Sequence, residues 1–165
     1  MDLCAAPGGK TILAAEFAGE AGHMVSRDVS EYKTALIREN LERMNRRNVE
    51  VQVYDATVHD RRRKKICGRG ADGCPLLWSW CYGKKERYQI SCHTGKPAIH
   101  HRTAKADCGA GWQYVKPHGV LLYSTCTIHR GENQEMAVWI TENFPFVLEE
   151  ERQLLPGTDE TDGFY

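Results

Sequence analysis

The sequence lacks several features that would assign it to a familiar class of protein. No apolar run approaches the roughly 18 residues that a membrane-spanning helix needs, and we expect no signal peptide. Its 22 basic and 22 acidic residues cancel, so the whole-chain charge does not predict a nucleic-acid partner. The seven cysteines include no C-x-x-C pair, so a structural metal site is not expected. We expect one cytoplasmic domain of 165 residues that binds no metal and no membrane.

Strand and helix patterns alternate over the first third of the chain. His23–Asp28 and Val49–Asp55 read as short strands that each end on an acid. A helix is predicted over Ile12–Ala18, and a second from a Ser30 cap to about Arg47, with one apolar face formed by Leu36, Leu41 and Met44. Strands separated by helices predict a parallel sheet that binds ligands at the carboxyl ends of its strands.

The stretch Asp2–Thr11, with the sequence DLCAAPGGKT, predicts the end of a strand, a tight turn and the first turn of a helix. Gly8 and Gly9 allow the backbone to approach a ligand, and a helix N-terminus favours an anion or a carboxylate. It is not a Walker loop, because Cys4 stands where that loop needs a glycine, and the dinucleotide pattern G-x-G-x-x-G is absent.

Two acids follow at the predicted strand ends. Asp28 lies about 20 residues beyond the glycine turn, which is the usual spacing of an acid that binds ribose hydroxyls. Asp55 should face the same crevice, because the carboxyl ends of parallel strands share one edge of the sheet. The alternative for either residue is an aspartate that only caps a turn.

A second informative stretch follows in the last third of the chain. Val120–Cys126 predicts a buried strand that ends in the tetrapeptide Ser124-Thr125-Cys126-Thr127. A helix is expected to begin near Gly131-Glu132-Asn133 and to run to about Asn143. A cysteine in such a place is ordinarily a small core residue, so the strand alone does not make it reactive.

Together these stretches resemble the RsmB/Sun family of RNA (cytosine-5) methyltransferases: DLCAAPGGKT resembles its motif I, and STCT followed by ENQE resembles its motif VI. The resemblance covers residues 1–60 and 112–165. It implies an α/β fold of the class I S-adenosylmethionine-dependent methyltransferases, Rossmann-like with a mostly parallel sheet and here truncated at both ends. The residues that would hold S-adenosylmethionine are Cys4, Ala5, Ala6, Pro7, Gly8, Gly9 and Lys10.

The resemblance also implies an activity, namely methylation of carbon 5 of a cytosine in small-subunit ribosomal RNA by a monomeric enzyme. Cys126 matches the family nucleophile, Asp28 the ribose-binding acid, and Asp55 the residue beside the adenine amino group. A thiolate that adds to carbon 6 makes carbon 5 nucleophilic enough to accept a methyl group, which splits one difficult step into easier ones. By this resemblance, we expect the family's N-terminal RNA-binding region to be missing from this chain.

Residues 61–111 are anomalous, because neither a strand nor a helix period is present where the fold needs a fourth strand and helix. The family's motif IV, an acid followed by Pro-Cys-Ser-Gly, is replaced: Gly73 stands where the acid belongs and Leu76 where the cysteine belongs. In the next reading frame, Trp78 and Trp80 necessarily become glycines, and Gly73–Trp80 can encode Asp-Val-Pro-Cys-Ser-Gly-Leu-Gly. We therefore predict two compensating single-base changes around this segment and assign it no site residue.

Two other interpretations stay open. One is a non-catalytic or inactive methyltransferase remnant that binds the cofactor at most. The other is a zinc-binding module, for which the wide gaps between ligands are unfavourable; its ligands would be Cys67, Cys74, Cys81, Cys92 and His93.

Overall fold

The computed structural model describes residues 1–63, 65–67, 105–159 and 163–165, and the backbone of 76–80. The chain divides into two compact units. The first contains Met1–Ser79 and Gly109–Leu122, and the second contains Trp80–Cys108 and Tyr123–Tyr165.

The first unit is built on parallel strands joined by helices. Its elements are helix α1 (Gly9–Ala18), strand β1 (Met24–Asp28), helix α2 (Glu31–Arg43) and strand β2 (Val49–Val53). β1 and β2 pair in parallel from Met24↔Val49 to Asp28↔Val53. On the other side of β1, Asp2 forms a parallel bridge with Ser26. The predicted parallel α/β arrangement is confirmed.

β1 is the central strand of this arrangement, and all five of its residues are buried. One side-chain cluster joins the glycine turn to α2 and β2, because Ala5, Ile37 and Leu41 pack together against partly buried Ala6, Ile12, Val49 and Val51. A neighbouring cluster of Ala15 and Met24 seats α1 on the sheet. The glycine turn is therefore packed against the hydrophobic core of this unit.

Helix α2 begins as predicted and ends earlier. The Ser30 side chain caps it by accepting a hydrogen bond from the Lys33 N–H. The helix stops at Arg43 rather than near Arg47, and Asn45 takes a left-handed φ of 51°. Met44 therefore leaves the helix and is exposed, so the predicted apolar face is wrong in part; the buried positions are Thr34, Ile37 and Leu41.

Two further strands form a second sheet, in which β3 (Leu76–Trp80) pairs with β4 (Leu121–Thr125). β3 falls within the segment where no strand was predicted; its apolar, tryptophan-rich sequence has a high strand propensity that a search for alternation does not detect. Residues 105–111 form a helix, here α3, that also begins within that segment. Residues 64, 68–75 and 81–104 of the anomalous segment, which include Gly73, lie outside the described residues, and the shifted reading frame stays a prediction.

The second unit surrounds the end of β4. A 3₁₀ turn over Arg130–Glu132 leads into helix α4 (Gln134–Asn143), which buries Met136, Ala137 and Ile140. Near the end of the chain, Leu154 and Phe164 form an antiparallel bridge. Thr125 and Tyr165 exchange both backbone hydrogen bonds, at 2.9 and 3.1 Å.

None of the helices in the described residues is long and apolar enough to cross a membrane. In those same residues, no group of three or more His, Cys, Asp or Glu side chains could hold a metal ion. Most of the alternative zinc ligands, namely Cys74, Cys81, Cys92 and His93, lie outside the described part of the chain.

Candidate cofactor site and cysteine loop

The glycine turn takes its shape from two hydrogen bonds and one left-handed residue. The Gly8 N–H donates to the Ala5 carbonyl at 2.6 Å, and the Ile12 N–H donates to the Gly8 carbonyl at 2.9 Å. Gly8 has a φ of 107°, which side-chain-bearing residues rarely adopt, and the Ala6–Pro7 peptide is cis. From α2, the Asn40 side chain donates to the Pro7 carbonyl at 2.9 Å. The turn is thus fixed at both ends before any ligand binds.

Gly9 differs from Gly8 in both conformation and surroundings. Gly9 is the first residue of α1 and is exposed, and within the described residues a Cβ placed there would meet no atom within 4 Å. A Cβ on Gly8 would instead lie 3.4 Å from the Ile37 side chain. Gly8 therefore shapes the turn, whereas Gly9 leaves open space above it.

Asp28 is placed directly beside this turn. Its carboxylate is buried, and one oxygen accepts a hydrogen bond from the Ala6 N–H at 3.0 Å. The other oxygen accepts from the Val29 N–H at 2.8 Å and lies 3.2 Å from the Lys33 ammonium. The structure thus brings two predicted site features together, since the acid at the end of β1 directly fixes the loop.

Asp55 lies at the same edge but in a different environment. The Tyr54 N–H donates to the Asp28 carbonyl at 2.9 Å, so the chain leaves β2 next to Asp28. The Asp55 side chain is exposed and accepts hydrogen bonds from the N–H and the hydroxyl of Thr57, at 2.9 and 2.7 Å. It therefore closes a turn, and one of its oxygens carries both of these bonds.

A buried polar cluster lies beneath the turn. The Thr11 hydroxyl donates to the Asp2 carboxylate at 2.7 Å and lies 3.1 Å from the Ser26 hydroxyl, and all three residues are fully buried. Burial raises the pKa of Asp2 to about 6, against the opposing effects of the Thr11 hydroxyl, the chain N-terminus, the Cys4 backbone and Lys10. α1 is therefore tied to β1 by three polar side chains for which the sequence predicted no contact.

The donors and acceptors at this edge suit a nucleoside that carries an amino-acid group. α1 has no acidic residue in its first turn and, in the described residues, no side-chain cap, so the partial positive charge at its N-terminus can favour a ligand carboxylate. The Asp28 oxygen that faces Ala6 accepts one hydrogen bond and retains capacity for a hydroxyl donor. The residues present thus fit a cofactor such as S-adenosylmethionine.

Cys126 follows β4 in the second unit and is partly exposed. The flanking Thr125 is fully buried, and its backbone pairs with Tyr165. A fully buried asparagine, Asn133, hydrogen-bonds to both neighbours of the cysteine, through the Thr125 hydroxyl and the Thr127 carbonyl. The sequence placed the cysteine at the end of a strand but gave no sign of this contact.

Sequence reasoning missed Lys33 and Asn40 as well. Lys33 reads as part of a solvated helix face, and the partner of Asn40 is a backbone carbonyl 33 residues away. A contact to a backbone group leaves no residue pattern, and a lysine on a helix surface does not by itself indicate an ion pair, so only the fold reveals these two contacts.

The parallel sheet, with its glycine turn and the acid at the end of the next strand, defines the class I S-adenosylmethionine-dependent methyltransferase fold. Solved structures agree: NSun6 from Pyrococcus horikoshii, crystallised with SFG, has a TM-score of 0.78 at 24% identity over 99% of this chain and 45% of that chain. The predicted fold class is therefore confirmed.

The chain is a relative of the RsmB/F RNA methyltransferases, as the sequence predicted. Residues 1–76 match the family model of the 16S rRNA methyltransferases RsmB/F. The human tRNA (cytosine(72)-C(5))-methyltransferase NSUN6 is 30% identical over 157 residues, which cover 88% of this chain and 33% of that protein. The ribosomal RNA small subunit methyltransferase B of Yersinia enterocolitica is 30% identical over 181 residues, which cover 100% of this chain and 40% of that protein. The chain thus spans between a third and two fifths of the length of these two relatives.

Proposed function

We propose that this chain carries the catalytic part of an S-adenosylmethionine-dependent RNA methyltransferase that modifies carbon 5 of a cytosine in small-subunit ribosomal RNA. The observation that carries the proposal is the hydrogen bond between the Asp28 carboxylate and the Ala6 N–H. It joins the ribose-binding acid of the proposed site to the turn that would hold the methionyl end of the cofactor.

Each predicted residue has a defined task in this proposal. The turn from Cys4 to Lys10 holds the cofactor, Asp28 accepts hydrogen bonds from the ribose hydroxyls, and Asp55 lies beside the adenine amino group. Bound S-adenosylmethionine supplies an electrophilic methyl group. Asp28 is already buried and ionically paired with Lys33, so binding requires little rearrangement of that carboxylate.

Cys126 is the proposed nucleophile. Its thiolate adds to carbon 6 of cytosine, forming an S–C6 bond and giving carbon 5 the electron density with which it takes the methyl group. A base then removes the proton from carbon 5, and the S–C6 bond breaks as the C5–C6 double bond returns, which frees the thiolate. The target cytosine must be unstacked or single-stranded to reach the thiol.

Of the two candidate substrates, we propose ribosomal RNA. The family model that matches residues 1–76 is named for 16S rRNA, and the Yersinia relative matches the whole chain. The name of human NSUN6 supports transfer RNA as the second candidate. Incorporation of labelled methyl groups into each purified RNA, followed by nucleoside analysis for 5-methylcytosine, separates the two substrates.

The cofactor site is tested by calorimetric titration of the chain with S-adenosylhomocysteine. Wild type should bind, and Asp28→Asn should bind at least about tenfold more weakly, a loss of about 1.4 kcal/mol, because the charge and one hydrogen-bond acceptor are removed. Glu31→Gln is the matched control, since it removes an exposed carboxylate three residues away. Failure of the wild type to bind would contradict the proposal and favour an inactive remnant. Equal affinity of wild type and Asp28→Asn would remove Asp28 from the site.

A further inference from the structure

Asn133 makes contacts that its position at the start of α4 does not explain. Asparagine favours the N-cap of a helix because its side chain can accept hydrogen bonds from the first turn. Asn133 occupies that position, yet among the described residues its side chain makes no capping bond. The side chain is fully buried and is directed instead to the segment around Cys126.

The contacts of Asn133 bracket the cysteine. Its Oδ1 accepts a hydrogen bond from the Thr125 hydroxyl, and its Nδ2 donates to the Thr127 carbonyl at 2.8 Å. One amide group therefore holds the residues immediately before and after Cys126. Buried hydrogen bonds of this kind are costly to break, because any group left without a partner keeps its desolvation penalty.

The bracket is itself anchored on a second side. Nδ2 of Asn133 also donates to Oε1 of Gln153 at 2.9 Å, and the Gln153 amide donates to the Phe164 carbonyl at 2.8 Å. Tyr165, the next residue, pairs with the backbone of Thr125. The loop that carries the thiol is thus tied to a closed network rather than to a single contact.

We propose that Asn133 is a positioning residue for the reaction, which fixes the backbone around Cys126 so that the thiol is held in one orientation. This inference rests on the proposed function, because it takes Cys126 to be the nucleophile. Asn133 does not touch the substrate and does not change the chemistry of the thiol. It determines where the sulfur lies when the target base arrives.

The test uses two substitutions that each break one side of the bracket. Asn133→Asp keeps an oxygen for the Thr125 hydroxyl but replaces the donor to the Thr127 carbonyl. Thr125→Val removes the other hydrogen bond, whereas Thr125→Ser keeps the hydroxyl. Ile140→Val is the matched control, because it loses a buried methyl group from α4 without touching the network.

The main measurement is the rate at which the full chain, with S-adenosylmethionine, forms a covalent adduct with single-stranded ribosomal RNA that contains 5-fluorocytidine. Asn133→Asp and Thr125→Val should form the adduct at least tenfold more slowly than wild type, and Thr125→Ser within about threefold of it. Peptide-mapped alkylation of Cys126 by iodoacetamide should change less than threefold in every variant, because a small reagent does not need one orientation of the thiol. Affinity for S-adenosylhomocysteine should stay within twofold.

Three results would overturn the inference. Adduct formation at the wild-type rate in both Asn133→Asp and Thr125→Val would remove the positioning role. The Ile140→Val control shows how much adduct formation slows for a given fall in melting temperature. If the slowing in Asn133→Asp and Thr125→Val only matches that relation, the effect is merely structural. If wild type alkylates normally but forms no adduct, the covalent step of the proposed function fails and the inference fails with it, a result distinct from the first two.

Discussion

Gly8 and Gly9 are neighbours in the sequence that meet different physical constraints. The left-handed backbone of Gly8 would strain any side chain whatever the space around it, whereas Gly9 has helical backbone and an open surface in the described residues. Gly8 therefore shapes the fold, and we propose that Gly9 lets the ligand approach the turn.

Alanine substitutions should separate these two roles. Gly8→Ala should destabilise the chain by about 1–3 kcal/mol, the cost of a strained backbone, and lower its melting temperature. Gly9→Ala should leave the melting temperature unchanged or slightly higher, because alanine is the better helix former, yet weaken S-adenosylhomocysteine binding. Thermal unfolding and calorimetry measure both effects. Unchanged affinity in Gly9→Ala would mean that the ligand does not approach the turn.

Asp2 is the residue whose protonation should link pH to stability. The folded carboxyl group keeps its proton up to about pH 6, whereas the unfolded group titrates near 3.8. Between pH 3.8 and about pH 6 the folded state binds more protons than the unfolded state. In that range Asp2 therefore makes the free energy of unfolding fall as pH rises. Above about pH 6 it contributes no further change.

Asp2→Asn should remove that decline, since the amide can still accept from Thr11 and does not ionise. The free energy of unfolding of wild type relative to the variant should fall by roughly 1.4 kcal/mol for each pH unit over which the two states differ by one proton. Urea denaturation of both proteins from pH 4 to 7 measures this difference. A constant difference over that range would contradict the assigned protonation.

At the scale of elements, the central strand β1 presents functional groups on both faces, because successive side chains in a strand alternate. Asp28 meets the glycine turn. Arg27 points the other way, is fully buried, donates to Asp60 at 2.9 Å and stacks 4.2 Å from the Tyr54 ring centre. The pKa of Asp60 is well below its usual value, because Arg62 first and Arg27 second stabilise its charge.

Arg27 therefore fastens the segment after β2, which carries Asp55, to the sheet. Arg27→Met should destabilise the chain by about 3 kcal/mol, since among the described residues it leaves the buried Asp60 with Arg62 alone as an ionic partner. Arg27→Met/Asp60→Asn should recover part of that loss, because no buried carboxylate is left without its partner. Chemical denaturation of all three proteins tests the expected order of stability, in which wild type is highest, the double variant intermediate and Arg27→Met lowest. A double variant less stable than Arg27→Met would contradict it.

The elements themselves were largely predictable. Asp28 at the end of β1, Asp55 just after β2, the Ser30 cap and the turn glycines are local signals, and the elements predicted from them formed within a few residues of their expected bounds. β3 and α3 were not predicted. The pairing of Arg27 with Asp60 was not predictable, because 33 residues separate the partners and a charged residue normally indicates a surface.

At the scale of the whole molecule, the sequence predicted the fold class and the family, because the glycine turn and the cysteine tetrapeptide are long and specific. It did not predict the contacts that hold them: the Ala6–Asp28 bond and the Asn133 bracket involve backbone groups, which every sequence contains. The segment between the two motifs was predicted to be shifted in frame. Sequencing its codons tests that prediction, and one uninterrupted frame that cannot encode Pro-Cys-Ser-Gly would contradict it.

The central claim is that Cys126 attacks a cytosine while S-adenosylmethionine occupies the glycine turn. Mass spectrometry of the full chain incubated with 5-fluorocytidine RNA tests it most directly, with and without the cofactor, for wild type and Cys126→Ser. We expect a stable RNA adduct on the peptide that contains Cys126, only when S-adenosylmethionine is present, and none in Cys126→Ser. An adduct on another cysteine, or none in the wild type with cofactor bound, would contradict the account.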